Sequence, residues 1–225
     1  MDKSDRANTN VHHQVPFVEN PDTRCVPATM GMILGYFMPE KHFTMAELEK
    51  FCGYQKGRGT WIALFLLNLA DMGFQVHCIE DFDHQQFVND PKKYLRSLLD
   101  DEAYEWQIAH SDLNQEAARI KQYLARGLPL EKRVGTNEDI KHFLDNGWLV
   151  KLAINTRILS GKSGYDGHSI LVIGYDDNEV IIHNPDGDSG NKPNQHVLWE
   201  LFHKAWEDFG GPCSLYAFKL LKEKI

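Results

Sequence analysis

The spacing of apolar residues changes repeatedly along this chain, and each change marks an element. Met30, Ile33, Leu34 and Phe37 recur at helical spacing and predict a helix from Ala28, ended by Met38-Pro39. Pro27 fits only the first turn of such a helix. Thr44-Met-Ala-Glu47 is a capping box and opens a short helix to Phe51. Thr60–Met72 reads as a buried helix closed by Gly73, and Phe74–Ile79 as a strand. Asp83–Pro129 is charged, aromatic and mostly helical in propensity, with Gln115–Arg126 its clearest helix. Thr136–Asn146 is one more helix, capped by Gly147. Downstream, His168–Tyr175 and Glu179–His183 are β-branched apolar runs, and Asp176-Asp-Asn178 between them is turn material, so the two predict a hairpin. His168–Tyr175 is apolar on both faces, as a central strand is. Val197–Asp208 predicts an amphipathic helix and Ser214–Leu221 a last strand.

Candidate chemistry sits at two junctions of this pattern. Pro21, Asp22 and Thr23 favour a turn that runs into the first helix, and Cys25 lies where turn becomes helix. Unpaired backbone N–H groups and the positive end of the helix dipole stabilise a thiolate there. The bland alternative is a cysteine serving as a small buried hydrophobe. The second junction is the start of the predicted hairpin. Pairing Gly174 with Val180 places Ile170 opposite Asn184 and His168 opposite Asp186, all four on one face. Either Asn184 or Asp186 then reaches the imidazole and orients it. The bland alternative for His168 is a satisfied histidine at a strand end. The polar, glycine-rich stretch Ile154–Gly167 leads into His168 and is placed to flank a cleft.

These residues resemble a known family. Cys25-Val26-Pro27-Ala28, the run Gly167-His168-Ser-Ile-Leu-Val-Ile-Gly174-Tyr175, and Asn184-Pro185 are similar to the motifs of the bacteriocin-leader (double-glycine) peptidases. The closer likeness is to their stand-alone, papain-like relatives. Asn146–Ile154 resembles the strand that precedes the histidine loop in that family. The likeness covers Val15–Tyr54 and Leu144–Asp186. It implies an α+β papain-like fold, with a helical half carrying Cys25 and a twisted antiparallel sheet carrying His168 and Asn184. It also implies a cysteine peptidase or amidase acting through a thioester, with Cys25 as nucleophile, His168 as general acid–base and Asn184 as orienter. Three positions depart from the family pattern: Val26 replaces a glycine, Asn184 an aspartate, and Glu19 the oxyanion-hole glutamine. The neighbouring Asn20 is the alternative hole donor.

Composition sets the limits. A chain of 225 residues fits one domain, expected over 11–225 behind a disordered tail at 1–10, with a helical insertion at about 83–129. A net charge of −8 argues against nucleic-acid coating or binding to anionic membranes. The polar Met1–Asn10 is no signal peptide, and the apolar run Trp61–Leu67 is too short to span a bilayer, so a cytoplasmic location is expected. Cys52, Cys78 and Cys213 form no Cys-x-x-Cys pair, and no histidine spacing fits a metal. Asp186-Gly-Asp188-Ser-Gly-Asn191 lacks the closing glutamate of a calcium loop. No metal or cofactor is expected, and the expected partner is a peptide or protein substrate. Two rivals remain: an acyltransferase or deamidase on the same scaffold, and a binding module that kept the fold but lost the oxyanion hole.

Overall fold

The computed structural model describes residues 11–186, 190–208 and 213–221. The expected tail at 1–10 lies outside the described residues, as does the centre of the calcium-like loop at 187–189. The chain opens on a two-residue strand β1 (Val11–His12), then α1 (Cys25–Phe37), α2 (Met45–Cys52), α3 (Ala63–Asp71) and β2 (Phe74–Ile79). Helix α1 starts three residues before Ala28, which puts Pro27 in its first turn as its missing N–H requires. The Thr44/Glu47 capping box opens α2 as expected. Helix α3 is shorter than Thr60–Met72 because Thr60–Ile62 stay outside it.

Four helices fill the charged stretch: α4 (His84–Asn89), α5 (Pro91–Leu98), α6 (Asp101–His110) and α7 (Leu113–Ala125). Each N-terminus is capped by an aspartate side chain, at Asp83, Asp90, Asp100 and Asp112. These caps cut what reads as one helical region into pieces. Phe87, Leu95, Leu113 and Ile120 pack with Ala63 and Phe82 into a cluster of their own. Then come β3 (Leu130–Glu131), α8 (Asn137–Asp145), β4 (Leu149–Asn155), α9 (Thr156–Leu159), β5 (Gly167–Tyr175), β6 (Glu179–Asn184), β7 (Lys192–Leu198), α10 (Trp199–Glu207) and β8 (Leu215–Leu220).

The strands form one α+β sheet in the order β3-β2-β8-β4-β5-β6-β7, with β1 paired to β5. All pairings are antiparallel except β2 with β3. Alternation along the strands gives the sheet two apolar faces. Leu149, Leu171, Ile173 and Phe218 meet α1, α2 and α3 on one side. Val150, Leu152, Ile170, Val172 and Ala217 meet α8 and α10 on the other. Strand β5 is central and buried beyond its first residue.

Three strands escape the sequence pattern. β1 and β3 are two residues each, too short to show alternation. β7 carries Pro193 and reads Lys-Pro-Asn-Gln-His, polar because it is an edge strand, and it takes Val197 and Leu198 from the expected helix. The expected loop 154–167 holds the short helix α9, started by the Asn155 side chain. The hairpin register also differs near its turn: Gly174 pairs with Ile181 rather than Val180. A bulge between Val172 and Gly174 absorbs the offset, and Leu171 pairs with His183, as the expected alignment would have it. At the bulge β1 pairs with β5, and a Cβ on Gly174 would lie 2.4 Å from the Val11 carbonyl oxygen. Only glycine admits that approach.

Candidate active site

The loop before α1 is shaped by one buried side chain. Asn20 Oδ1 accepts the N–H groups of Asp22 (3.1 Å) and Arg24 (2.8 Å), turning the chain into the helix. Its Nδ2 donates to the Pro185 carbonyl at 2.8 Å, and its N–H donates to Asn191 Oδ1 at 2.8 Å. The helix entrance is thereby tied to the end of β6. Arg24, the residue before the helix, makes no side-chain cap and pairs instead with Glu49. Cys25 is therefore the first helical residue, among backbone N–H groups that have no intrahelical acceptor. One turn on, Thr29 Oγ1 lies 3.1 Å from Ser169 Oγ, which seats α1 against β5.

That seating brings Cys25 and His168 together across 143 residues of sequence. Burial pushes the Cys25 thiol up, yet the hydrogen bond and charge of His168, the Ser169 backbone and the Lys151 charge outweigh it, and the thiol is held below its ordinary value. Part of Cys25 still reaches the surface. His168 responds in the opposite sense. Burial pushes it down, while Cys25, then Asp186 and Asp166, pull it above the ordinary imidazole value. A lowered thiol beside a raised imidazole favours the thiolate–imidazolium pair. The other thiols differ: burial pushes Cys52, Cys78 and Cys213 up.

The remaining candidates are placed as follows. Asn184 is 2 % exposed at the end of β6, and its Nδ2 donates to Gln195 Oε1 at 3.2 Å. Asn184 Oδ1 and His168 Nε2 are both buried with no hydrogen-bond partner among the described residues. Asp186 is buried and acts on His168 by its charge. Glu19 is exposed, whereas Asn20 is buried and bound as above. Two further histidines have local duties: His13 bridges the Leu144 carbonyl and Tyr36, and His183 donates to the Val15 carbonyl while accepting the Asn194 N–H.

Two features have no recognisable signature in sequence. Lys151, in the middle of β4, is 4 % exposed, and burial pushes its ammonium down to about 8. The second is a cluster in which one ligand atom each of Cys78, Glu80 and His84 lie within 4.8 Å of one another. Its donor set argues for a hydrogen-bond network rather than a metal. Glu80 Oε1 accepts His84 Nε2 (2.7 Å) and Cys78 Sγ (3.3 Å), and Oε2 accepts Ser214 Oγ and Tyr216 Oη (2.8 Å each). The carboxylate is fully used, and the thiol is held protonated.

Solved structures similar to this chain carry peptidase or protease names. A putative C39-like peptidase from Bacillus anthracis superposes with a TM-score of 0.54 at 13 % identity, covering 96 % of this chain and 100 % of its own. The double-glycine motif protease of an AMS/PCAT transporter, solved with its leader peptide, gives 0.49 at 12 % identity over 95 % of this chain and 97 % of its own. The peptidase domain of Streptococcus ComA, a bifunctional ABC transporter of a quorum-sensing pathway, gives 0.49 at 14 % over 92 % and 100 %. No curated protein matches the sequence. Among the described residues no helix is long and apolar enough to cross a membrane. At the level of sequence, the profile of the Peptidase C39-like family matches residues 8–214, nearly the whole chain, and the chain belongs to that family.

Proposed function

We propose that the chain is a cysteine peptidase or amidase that cleaves a peptide substrate through a thioester on Cys25. The observation that carries this reading is the opposed shift of Cys25 and His168 at the helix entrance. The Cys25 thiolate attacks the carbonyl carbon, and the imidazolium of His168 gives its proton to the leaving amine. Water then attacks the thioester, gives its proton back to His168, and releases the acid with the thiolate restored. In the reacting enzyme Asn184 Oδ1 is assigned as acceptor of the His168 Nε2–H, leaving Nδ1 to serve the thiol; both atoms are buried and without a hydrogen-bond partner among the described residues, so each is open to the other. The oxyanion is held by the Cys25 backbone N–H and by the Asn20 amide, which keeps one hydrogen after serving Pro185. Glu19, exposed at the position of the missing amide, stays turned to solvent.

The test combines two measurements on the full chain. Limited iodoacetamide labelling with peptide mapping should modify Cys25 first, and hydrolysis of an activated ester should vanish in Cys25→Ala. Prior alkylation of another cysteine sinks the assignment. Mass spectrometry of products with added amine separates hydrolysis from acyl transfer or deamidation. A catalytically weak binding module is the second reading, favoured by the carboxylate at Glu19 where a neutral donor is expected. A large gain from Glu19→Gln would establish it.

A further inference from the structure

Lys151 is the buried charge that the proposed chemistry leaves unused. It pairs by backbone with Leu171 of β5 and Tyr216 of β8, in the middle of the sheet. Its neighbours Val150 and Leu152 face α8 and α10, so alternation turns Lys151 to the side of α1 and α2. There its Nζ lies 5.2 Å from the Tyr216 ring and feels the charges of Cys25 of α1, Cys52 of α2, Cys78 of β2 and Glu80 just beyond it; β5 contributes only apolar Leu171 at this level. Among the described residues no carboxylate lies within ion-pair distance of its Nζ. Glu80 is committed to its own donors and touches Tyr216, not Lys151. A lysine buried to this extent without an ion pair is costly, and an aliphatic side chain would pack in its place.

We propose that Lys151 is a positioning residue for the nucleophile: its ammonium, on the buried sheet face that receives the α1 entrance, keeps Cys25 in the attacking thiolate form. This rests on the reading of Cys25 as nucleophile. Three thiols feel the ammonium's charge, and only Cys25 also has His168 and a helix N-terminus beside it. The charge acts on the thiolate through a low-dielectric interior, where screening is weak. Lys151 is thus a stability cost retained at the site, of the kind found where function needs a field.

The test is the pH dependence of Cys25 alkylation in the wild type, Lys151→Met and Lys151→Arg. The expected result is a midpoint raised by about one unit in Lys151→Met, with roughly tenfold slower labelling below it, and near wild-type behaviour in Lys151→Arg. A folded Lys151→Met with an unchanged midpoint overturns the proposal. Should Lys151→Met fail to fold, the reciprocal measurement decides: NMR titration of the Lys151 ammonium in wild type and in Cys25→Ala. Losing the thiolate should lower the Lys151 midpoint, and an unmoved midpoint overturns the proposal. If wild-type Cys25 is not the fastest thiol, the nucleophile reading itself fails first, whatever Lys151 does.

Discussion

At the scale of single residues, three side chains around Cys25 should separate by substitution. His168→Ala removes the partner that lowers the thiol, and ester hydrolysis should fall by roughly 10²- to 10⁴-fold. Asn184→Ala should cost less, and Asp186→Ala least, because Asp186 acts on the ring by charge while Asn184 presents an unpartnered acceptor. Alkylation rate against pH checks the order; a larger loss at Asp186 would transfer the orienting role to it. The sign of the pH dependence follows from the two shifts. Cys25 is lowered and His168 raised, so the reactive pair exists above the first midpoint and below the second, and the rate should trace a bell. The oxyanion hole is tested with Asn20→Asp, which keeps the acceptor for Asp22 and Arg24 but loses the amide. It should slow ester hydrolysis by about 10²-fold or more while Glu19→Gln changes little.

At the scale of elements, β5 carries a bulge between Val172 and Gly174. Tyr175 and Gly174 follow one register with β6, Val172 and Leu171 another, and β1 pairs with β5 at the change. Gly174→Ala drives a methyl into the Val11 carbonyl. It should destabilise the protein by roughly 1–3 kcal/mol and lower Tm by several degrees, read by thermal denaturation. An unchanged Tm would mean that β1 contributes nothing. The cap of α2 was legible because a capping box is local: Thr44 with Glu47 needs only four residues of sequence; the matching box of Thr136 and Asp139 at α8 was legible only as the start of a helix. The edge strand β7 was not, since its register comes from β6 and not from alternation within Lys192–Leu198.

At the scale of the whole molecule, the sheet separates two helical layers and buries one unpaired ammonium between strands and α1. Lys151 is pushed from its ordinary 10.5 down to about 8, so between those values the unfolded chain binds a proton that the native chain does not. Stability should therefore rise with pH across that window. Urea midpoints should show the rise in the wild type and lose this contribution in Lys151→Met; equal slopes in the two would contradict it. The helices α4–α7 belong to the same scale. Their cluster includes Ala63 of α3, and Tyr123 of α7 packs into the main core.

The sequence by itself determined what is local: the turn entering α1 with a thiol at the junction, the capping box of α2, β2 residue for residue, and a central strand opened by His168. These rest on spacing, capping and burial, which a dozen neighbouring residues settle. Only the tertiary structure decided what those pieces face. Asn20 was weighed for one amide, and it also joins the α1 entrance to Pro185, 165 residues away. Lys151 reads as one lysine in a strand, and its meaning comes from Cys25, Glu80 and Tyr216 arriving from three other elements. Cys78, Glu80 and His84 read as unrelated residues until Ser214 and Tyr216 of the last strand region close their network. A field, a hydrogen-bond network and a buried charge are properties of packing, and packing pairs residues whose separation in sequence carries no period to read.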